Sequence, residues 1–384
     1  MQIFAINKPC LATNSNRTNK ISILYTTDDG YFAPTIVSME SALQSMSENT
    51  FYDFHLMVNG EFSKKDDLEK FKIINRDKCS ITTHDMGDDF KKDWTSDWPP
   101  SMYYRLKAAS VLRGIDKCIY IDGDTLIVKD LSELFNINLG DNYLGGVLDA
   151  MSYRKFPDDS STEDCKNYIN SGVALINLKK IREDKKEKEL LQKVQENTQH
   201  NKFGLPDQDI WNIVFKDKIK LLPIKYNFMT NLFMVGCAFT IDQQNKMYGN
   251  EIYLNNNVDN KFGFYPLVIR NTLENDHPTI VHFVCNKPWK AGCGVNDEGK
   301  NREVWEPLYK KWRETADSVK QNYGIFIEYK SGLFSNPYVK WGTIVGGSTL
   351  LTTAIVGTGI AIKKFYDKKI AKKSNPKFLK INIV

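Results

Sequence analysis

Cross-linking chemistry is the first thing that this sequence lacks. Its seven cysteines are scattered along 384 residues, and no two of them form a Cys-x-x-Cys pattern. Structural zinc sites and disulfide scaffolds need closely or regularly paired cysteines, which are missing here. We therefore expect neither kind of site, and we expect a protein of a reducing compartment.

A basic surface for nucleic acid is also missing from most of the chain. The net charge is +5, but residues 363–384 contain eight Lys and one Asp and so contribute +7. The preceding residues therefore carry −2, which argues against a nucleic-acid partner for the body of the protein. The N-terminus has no charged region followed by a long apolar stretch, so a secretory signal is not predicted.

Short apolar runs alternate with helical patterns along the chain. Strands are predicted, with amphipathic helices between the first four, at residues 21–27, 52–58, 80–84, 119–121, 143–148, 170–177 and 279–284. Strands that alternate with helices are typical of an α/β domain with a mostly parallel sheet. Residues 63–66 (Ser-Lys-Lys-Asp) predict a capping box at the start of the second helix.

Two aspartates directly follow one of the buried strands. The apolar run 119–121 ends in Asp122-Gly123-Asp124, and a second apolar run follows. Carboxylates two residues apart can project to the same side of the chain, and the glycine lets the backbone bend and a ligand approach. Oxygen ligands at a strand end suit Mn²⁺ or Mg²⁺ bound to a diphosphate. A second Asp-x-Asp pattern, at 207–209, lies at the start of a predicted helix. The position of Asp122 and Asp124 directly after a strand is therefore what favours a metal site over a solvated turn.

Seven motifs, in order, resemble glycosyltransferase family 8, which includes glycogenin-like proteins and lipopolysaccharide galactosyl- and glucosyltransferases. The matching segments are Thr26–Tyr31, Tyr104–Lys107, Tyr120–Asp124, Asn170–Val173, Asn177–Lys180, Asp207–Asp209 and His282–Trp289. The resemblance implies a GT-A fold, a Rossmann-like α/β fold with a mixed, mostly parallel sheet. It also implies transfer of glucose or galactose from a UDP-hexose with retention of configuration.

The resemblance assigns a role to each matching residue. Asp122, Asp124 and His282 would bind Mn²⁺, with Mg²⁺ as the alternative, and this mixed oxygen and nitrogen ligand set suits Mn²⁺. The other assignments are Thr26, Asp28 and Tyr31 for the uridine; Arg105, Gly123, Asp149, Asn170 and Lys287 for the donor sugar and phosphates; and Asp207 and Gln208 for the catalytic step. Only four residues separate His282 from Lys287, one fewer than in the usual family pattern, and none of them is Gly.

The expected mechanism follows from the residue type at position 208. The family position nearest the donor's anomeric carbon matches Gln208, and an amide is a poor nucleophile. A double displacement would need a carboxylate there, as in retaining glycosidases. We therefore favour a front-face path, in which the acceptor hydroxyl enters on the side that UDP leaves and Gln208 stabilises the oxocarbenium-like centre.

The C-terminal segment predicts contact with a membrane. Residues 342–362 form a run of 21 residues without a charge, which is long enough to span a bilayer, but six Ser or Thr and five Gly lower its hydrophobicity. Lys-rich residues follow and suit anionic lipid. We expect the protein on the cytoplasmic side of a membrane, either peripheral or anchored by this tail.

The predicted organisation and acceptor complete these expectations. Residues 1–19 form an N-terminal arm, 20–300 the GT-A catalytic domain, 301–335 a helical extension and 336–384 the membrane-associating tail. The acceptor is a glycan, with lipopolysaccharide or another lipid-linked glycan favoured. One alternative is a protein acceptor, including autoglycosylation. Another is an inactive glycan- or membrane-binding protein of the same fold.

Overall fold

Apolar runs form most of the strands of the computed structural model, which describes residues 19–93, 99–149, 168–200, 203–230, 277–284, 287–289 and 302–327. The strands are β1 (Asn19–Thr26), β2 (Thr50–Val58), β3 (Cys79–Asp85), β4 (Lys117–Ile121), β5 (Thr125–Ile127), β6 (Leu144–Leu148), β7 (Ile169–Asn177), β8 (Ile219–Leu221), β9 (Phe228–Met229) and β10 (Ile280–His282). The α-helices are α1 (Phe32–Ser45), α2 (Lys65–Ile74), α3 (Ala108–Val111), α4 (Ser132–Phe135), α5 (Leu178–Glu183), α6 (Lys186–His200), α7 (Pro206–Val214) and α8 (Arg302–Tyr323). Short 3₁₀ segments span Lys91–Asp93, Pro100–Lys107 and Ile224–Asn227.

A seven-stranded sheet carries the fold, in the order β3-β2-β1-β4-β7-β6-β8. Strands β3, β2, β1 and β4 are parallel to one another, whereas β7 is antiparallel to both of its neighbours. Seven of the nine residues of β2 form an unbroken buried run, as expected for a central strand of a parallel sheet covered on both faces. The predicted α/β class with a mixed, mostly parallel sheet is confirmed.

A second, three-stranded sheet joins distant parts of the chain. Its order is β5-β10-β9, with β10 antiparallel to β5 and parallel to β9. His282 pairs with Thr125 on one side and with Met229 on the other. The hydroxyls of Ser38 and Thr125 are 2.6 Å apart, which ties this sheet to α1. The pairing therefore places His282 beside the residue that follows Asp124.

Helix α8 packs against α1 and α2. Its Trp312 is fully buried. The Tyr323 hydroxyl donates to Glu40 Oε2 at 2.7 Å and accepts from Asn75 Nδ2 at 3.0 Å. Glu40 is itself buried, so the bond from Tyr323 satisfies one oxygen of a carboxylate that has little access to water.

The expected capping box at 63–66 is wrong. Helix α2 begins at Lys65 without a side-chain cap, and Lys64 stands at the preceding position. The Ser63 amide and hydroxyl instead both donate to the Asp29 carboxylate, the amide at 2.9 Å. The serine therefore ties the turn after β2 to the turn after β1, because a tertiary partner outcompetes the local cap.

The predicted terminal regions lie largely outside the described residues. Helix α8 falls within the range 301–335, but the arm before residue 19 and the tail 336–384 are not described, so the domain boundaries stay predictions. No helix among the described segments is long and apolar enough to cross a membrane. The predicted contact of the tail with a membrane is not tested by this finding.

Candidate active site

Two aspartates and a histidine meet where β4 ends and β5 and β10 pair. Oxygen or nitrogen atoms of Asp122, Asp124 and His282 lie within 4.8 Å of one another. His282 Nε2 is 3.3 Å from Asp124 Oδ1 and 3.8 Å from Asp122 Oδ2. Asp124 and His282 are buried, whereas Asp122 is partly exposed. The structure therefore brings together the three residues predicted to bind the metal.

Gly172 of β7 gives this cluster its space. The Asp122 amide donates to the Gly172 carbonyl at 2.8 Å. A Cβ atom at position 172 would lie 2.1 Å from His282 Cε1 and 2.7 Å from Asp122 Oδ2, closer than real contacts allow. Two carboxylates, an imidazole and a glycine that leaves them room form a cradle of the size and donor chemistry that a divalent cation needs.

Lys287 reaches the same cluster despite its short loop. Its ammonium forms an ion pair with Asp124 and donates to the Phe283 carbonyl at 2.9 Å. Burial alone would raise the pKa of Asp124, but the positive charge of the Lys287 ammonium opposes that effect, and the pKa is held below its ordinary value. Residues 285 and 286 of the loop lie outside the described residues.

The residues predicted to hold the uridine surround the C-terminal end of β1. Asp28 Oδ1 accepts from the amides of Gly30 and Tyr31 at 2.9 and 3.0 Å, and its Oδ2 accepts from the Ser101 hydroxyl at 3.1 Å. The Tyr31 ring meets Trp289 edge to face, at 5.8 Å between centroids. Asp28 thus fixes the turn that presents Tyr31, which remains 38% exposed.

Thr26 and Tyr31 connect the predicted uridine side to the metal cluster. Thr26 Oγ1 lies 3.1 Å from the Tyr120 hydroxyl, which also donates to Asp122 Oδ1. Burial, reinforced by the charge of Asp124, raises the pKa of Tyr31 above its ordinary value. The predicted uridine side and the metal cluster are therefore in contact through tyrosine hydroxyls and charges.

Arg105 joins the metal cluster to the predicted sugar side. Its guanidinium is buried and forms 3.0 Å ion pairs with Asp122 Oδ1 and Asp207 Oδ2. It also lies 4.2 Å from the centroid of the Tyr120 ring. Burial raises the pKa of Asp207, and the charge of Arg105 opposes that shift. Each carboxylate is thus held by a cation with fixed planar geometry.

The predicted sugar-binding side chains form one buried network. Asn170 Nδ2 donates to Asp149 Oδ2 at 3.2 Å and to Gln208 Oε1 at 3.1 Å. Gln208 Nε2 donates to Asp149 Oδ2 at 2.8 Å, and its Oε1 also accepts from the Ser171 amide at 3.0 Å. The structure brings these side chains together beside Asp207, whose Oδ2 accepts from the Ser171 hydroxyl at 2.9 Å. Their assigned contacts with the sugar stay predictions.

Gly123 packs against helix α1. A Cβ atom at this position would lie 2.4 Å from Thr35 Oγ1. The missing side chain therefore lets the turn between β4 and β5 approach α1 closely, and the predicted contact of Gly123 with the donor stays a prediction.

Three positions that contact the candidate metal ligands were not singled out from the sequence. Asn227 Oδ1 lies 3.0 Å from His282 Nδ1, the Tyr120 hydroxyl binds Asp122, and Gly172 makes room for both ligands. Tyr120 and Gly172 stand inside matching motifs, which is the signal that could have found them. Asn227 has no such signal, because it lies within residues 224–275, a stretch with many Asn and aromatic residues and little periodicity.

The fold agrees with solved glycosyltransferase structures. The crystal structure of the galactosyltransferase LgtC in complex with donor and acceptor sugar analogues superposes with a TM-score of 0.58 and 22% sequence identity. The match covers 78% of this chain and 96% of that one. At this identity the match establishes the fold alone, and it confirms the predicted GT-A architecture.

The family follows from the sequence comparisons. The model of Glycosyl transferase family 8 matches residues 22–293, so this chain belongs to that family, as predicted. A lipopolysaccharide 1,2-glucosyltransferase of Escherichia coli is 25% identical over 269 residues, which cover 68% of this chain and 71% of that protein. A putative glycosyltransferase of Haemophilus influenzae is 35% identical over 130 residues, covering 33% of this chain and 38% of that protein. The chain is a glycosyltransferase.

Proposed function

We propose that this protein transfers a hexose, glucose or galactose, from a UDP-sugar to a hydroxyl of lipopolysaccharide or another lipid-linked glycan, with retention of configuration. The observation that carries the proposal is the convergence of Asp122, Asp124 and His282 with Lys287 at one end of a buried polar network. The name of the Escherichia coli relative supports the acceptor class. A site built from these charged groups also favours an active enzyme over an inactive binding protein.

The proposed cofactor is Mn²⁺, held by Asp122, Asp124 and His282. Carboxylate oxygens and one imidazole nitrogen suit Mn²⁺, whereas Mg²⁺ prefers oxygen ligands alone. When bound, the ion supplies positive charge to a leaving diphosphate. The ammonium of Lys287 is placed to add to that charge, since it already lies against Asp124.

The hydrogen bonds of the two other site carboxylates support the front-face path. Asp149 accepts from Asn170 and Gln208, and Asp207 accepts from Arg105 and Ser171. A carboxylate held by such bonds is a weaker nucleophile than a free one, because the bonds stabilise its charge. Gln208 is proposed to stabilise the oxocarbenium-like centre with its amide while the acceptor hydroxyl approaches. A glycosyl-enzyme adduct trapped on Asp149 or Asp207 would contradict this path.

The test is hydrolysis of a panel of UDP-sugars by the full chain with Mn²⁺. We expect Mn²⁺-dependent release of UDP from one hexose donor, and we expect Asp122→Ala and Asp124→Ala each to abolish it. Asp116→Ala is the matched control, because Asp116 is exposed and pairs only with Arg182 among its described ion pairs, at 3.2 Å. Metal-dependent hydrolysis that survives in either site variant would remove the aspartate pair from the site.

A further inference from the structure

Asn227 connects the metal cluster to the sugar side. It is fully buried at the end of the 3₁₀ segment Ile224–Asn227. Its Nδ2 is 2.9 Å from Asn170 Oδ1, and its Oδ1 is 3.0 Å from His282 Nδ1. Asn170 in turn bonds to Gln208 and Asp149. A continuous line of hydrogen bonds therefore runs from a predicted metal ligand to the predicted sugar-binding residues.

Two backbone amides fix the direction of every bond in this line. The Gly172 amide, which can only donate, bonds to Asn170 Oδ1 at 3.0 Å. The Ser171 amide, also a donor only, bonds to Gln208 Oε1 at 3.0 Å. The Asn170 oxygen is thus an acceptor and its Nδ2 is the donor to Gln208. The two anchors agree, so the orientation of the Asn170 amide is determined from both ends.

The orientation of Asn227 and the tautomer of His282 follow. Because Asn170 Oδ1 accepts, Asn227 must present its Nδ2 to Asn170 and its Oδ1 to His282. The amide oxygen of Asn227 can only accept, so His282 Nδ1 carries a hydrogen and donates it. In neutral imidazole the other nitrogen then has a free lone pair. That atom, Nε2, is the one that faces Asp122 and Asp124.

We propose that Asn227 is a positioning residue that holds His282 in the Nδ1–H tautomer and presents Nε2 to a divalent cation. A lone pair that faces two carboxylates is repelled by them, and a divalent cation bound by all three groups would remove that repulsion. The proposal rests on the metal site of the proposed function. It adds a residue that lies in none of the seven matching segments.

The test measures binding of Mn²⁺ to the full chain by the electron paramagnetic resonance signal of the free ion. We expect Asn227→Leu, which removes the acceptor at similar volume, to weaken Mn²⁺ binding roughly tenfold or more, as is usual for lost partners of metal-binding histidines. Asn75→Leu is the matched control. Asn75 is also buried and hydrogen-bonded, to Phe71 and Tyr323, but lies among α2 and α8. It should lower stability without changing Mn²⁺ affinity.

Asn227→Asp separates a positioning role from a purely structural one. A carboxylate still accepts from His282 Nδ1 but cannot donate to Asn170. We expect Mn²⁺ affinity within about threefold of the parent, and this variant decides the matter if Asn227→Leu does not fold. Parent-like affinity of Asn227→Leu, or a tenfold loss in Asn227→Asp, would contradict the proposal. A parent chain that fails to bind Mn²⁺ would instead contradict the metal site itself.

Discussion

Two glycines of the site leave no room for a side chain, and the neighbouring atoms differ between them. Gly123, between the two aspartates, lies against Thr35 of α1 and so determines how closely the turn between β4 and β5 approaches that helix. Gly172 lies against His282 and Asp122 and so governs the space between the ligands. A sequence motif records only that each is glycine. The neighbour that a Cβ atom would meet tells which function each one serves.

Gly172→Ala tests this reading at the level of a single methyl group. The added Cβ would sit 2.1 Å from His282 Cε1, so the imidazole must move away from Asp122 and Asp124. We expect Mn²⁺ affinity to fall by about tenfold or more, with UDP-sugar hydrolysis falling in parallel. Gly114→Ala is the matched control, since a Cβ there meets no heavy atom within 4 Å. Equal Mn²⁺ affinity in the two variants would show that the cradle tolerates a side chain.

Among the elements, α8 shows how the chain beyond the motifs packs against helices α1 and α2. Its Tyr323 ring lies 4.8 Å from that of Phe71 of α2, and its hydroxyl reaches Glu40 of α1. Lys70 Nζ donates to the Tyr323 carbonyl at 2.7 Å, at the end of the helix where the macrodipole favours a cation. One residue thus fixes three helices to one another.

Removing the Tyr323 hydroxyl should lower the stability of this junction. Tyr323→Phe keeps the ring but takes a donor from the buried Glu40, which costs about 1–3 kcal/mol of unfolding free energy. Urea unfolding followed by circular dichroism measures the loss. In a Glu40→Gln background the amide can turn its own donor to other partners, so we expect a smaller loss there. The same loss in both backgrounds would mean that the hydroxyl does not stabilise the fold through Glu40.

Strand β2 carries a buried carboxylate whose pKa is set by its neighbours. Burial alone would raise the pKa of Asp53, but the nearby His55, the Ser80 hydroxyl and the Lys20 ammonium together outweigh it and hold the pKa below its ordinary value. His84 lies behind His55, with 3.1 Å between their ring nitrogens. A carboxyl with a lowered folded pKa stabilises the protein above its unfolded pKa, near about 3.9, and loses that contribution as the pH falls.

Asp53→Asn should therefore reveal a pH-dependent difference in stability. At pH 7.5 we expect the variant to unfold at a lower temperature than the parent, because the charged bonds are lost. Below about pH 4 the parent begins to protonate the unfolded carboxyl and then the folded one, so the two melting temperatures should converge. Scanning calorimetry from pH 7.5 to pH 3 measures this. If the difference between the two melting temperatures stays constant across that range, the charge of Asp53 does not contribute to stability.

The strands and the candidate ligands could be predicted from the sequence because their signals are local. A buried strand needs an apolar run, and the Asp-x-Asp pair directly follows one. The partners of β10 could not be predicted, because its pairing with β5 joins Thr125 to His282 across a long stretch of chain. Asn227 was missed for the same reason: an asparagine that accepts a bond from a distant histidine has the same local sequence as one in a loop.

At the scale of the whole molecule, charge divides the chain between a slightly acidic body and a basic tail. We propose that residues 336–384 hold the enzyme at the cytoplasmic face of a membrane by insertion of the apolar run and attraction of the Lys-rich end to anionic lipid. The proposal is motivated by the 21 uncharged residues followed by eight Lys.

Deletion of 336–384 tests the tail without touching the site. In a flotation assay, we expect the full chain to float with vesicles that contain anionic lipid and the shortened chain to remain in the dense fraction. Hydrolysis of the UDP-sugar should be unchanged, since every proposed site residue precedes the deletion. Neutral vesicles should capture less of the full chain than anionic ones. A full chain that floats with neither type of vesicle would contradict the proposed membrane contact.

The pairing of β5 with β10 has a consequence for how the protein is made. A ribosome completes Asp122 and Asp124 well before His282 and Lys287, and the third ligand enters the cluster only when β10 lies between β5 and β9. A chain that ends before residue 282 therefore contains two of the three proposed metal ligands and lacks the neighbouring lysine. Because we propose that donor turnover needs all three ligands and the lysine, we expect a nascent chain to hydrolyse no UDP-sugar before translation has passed residue 287.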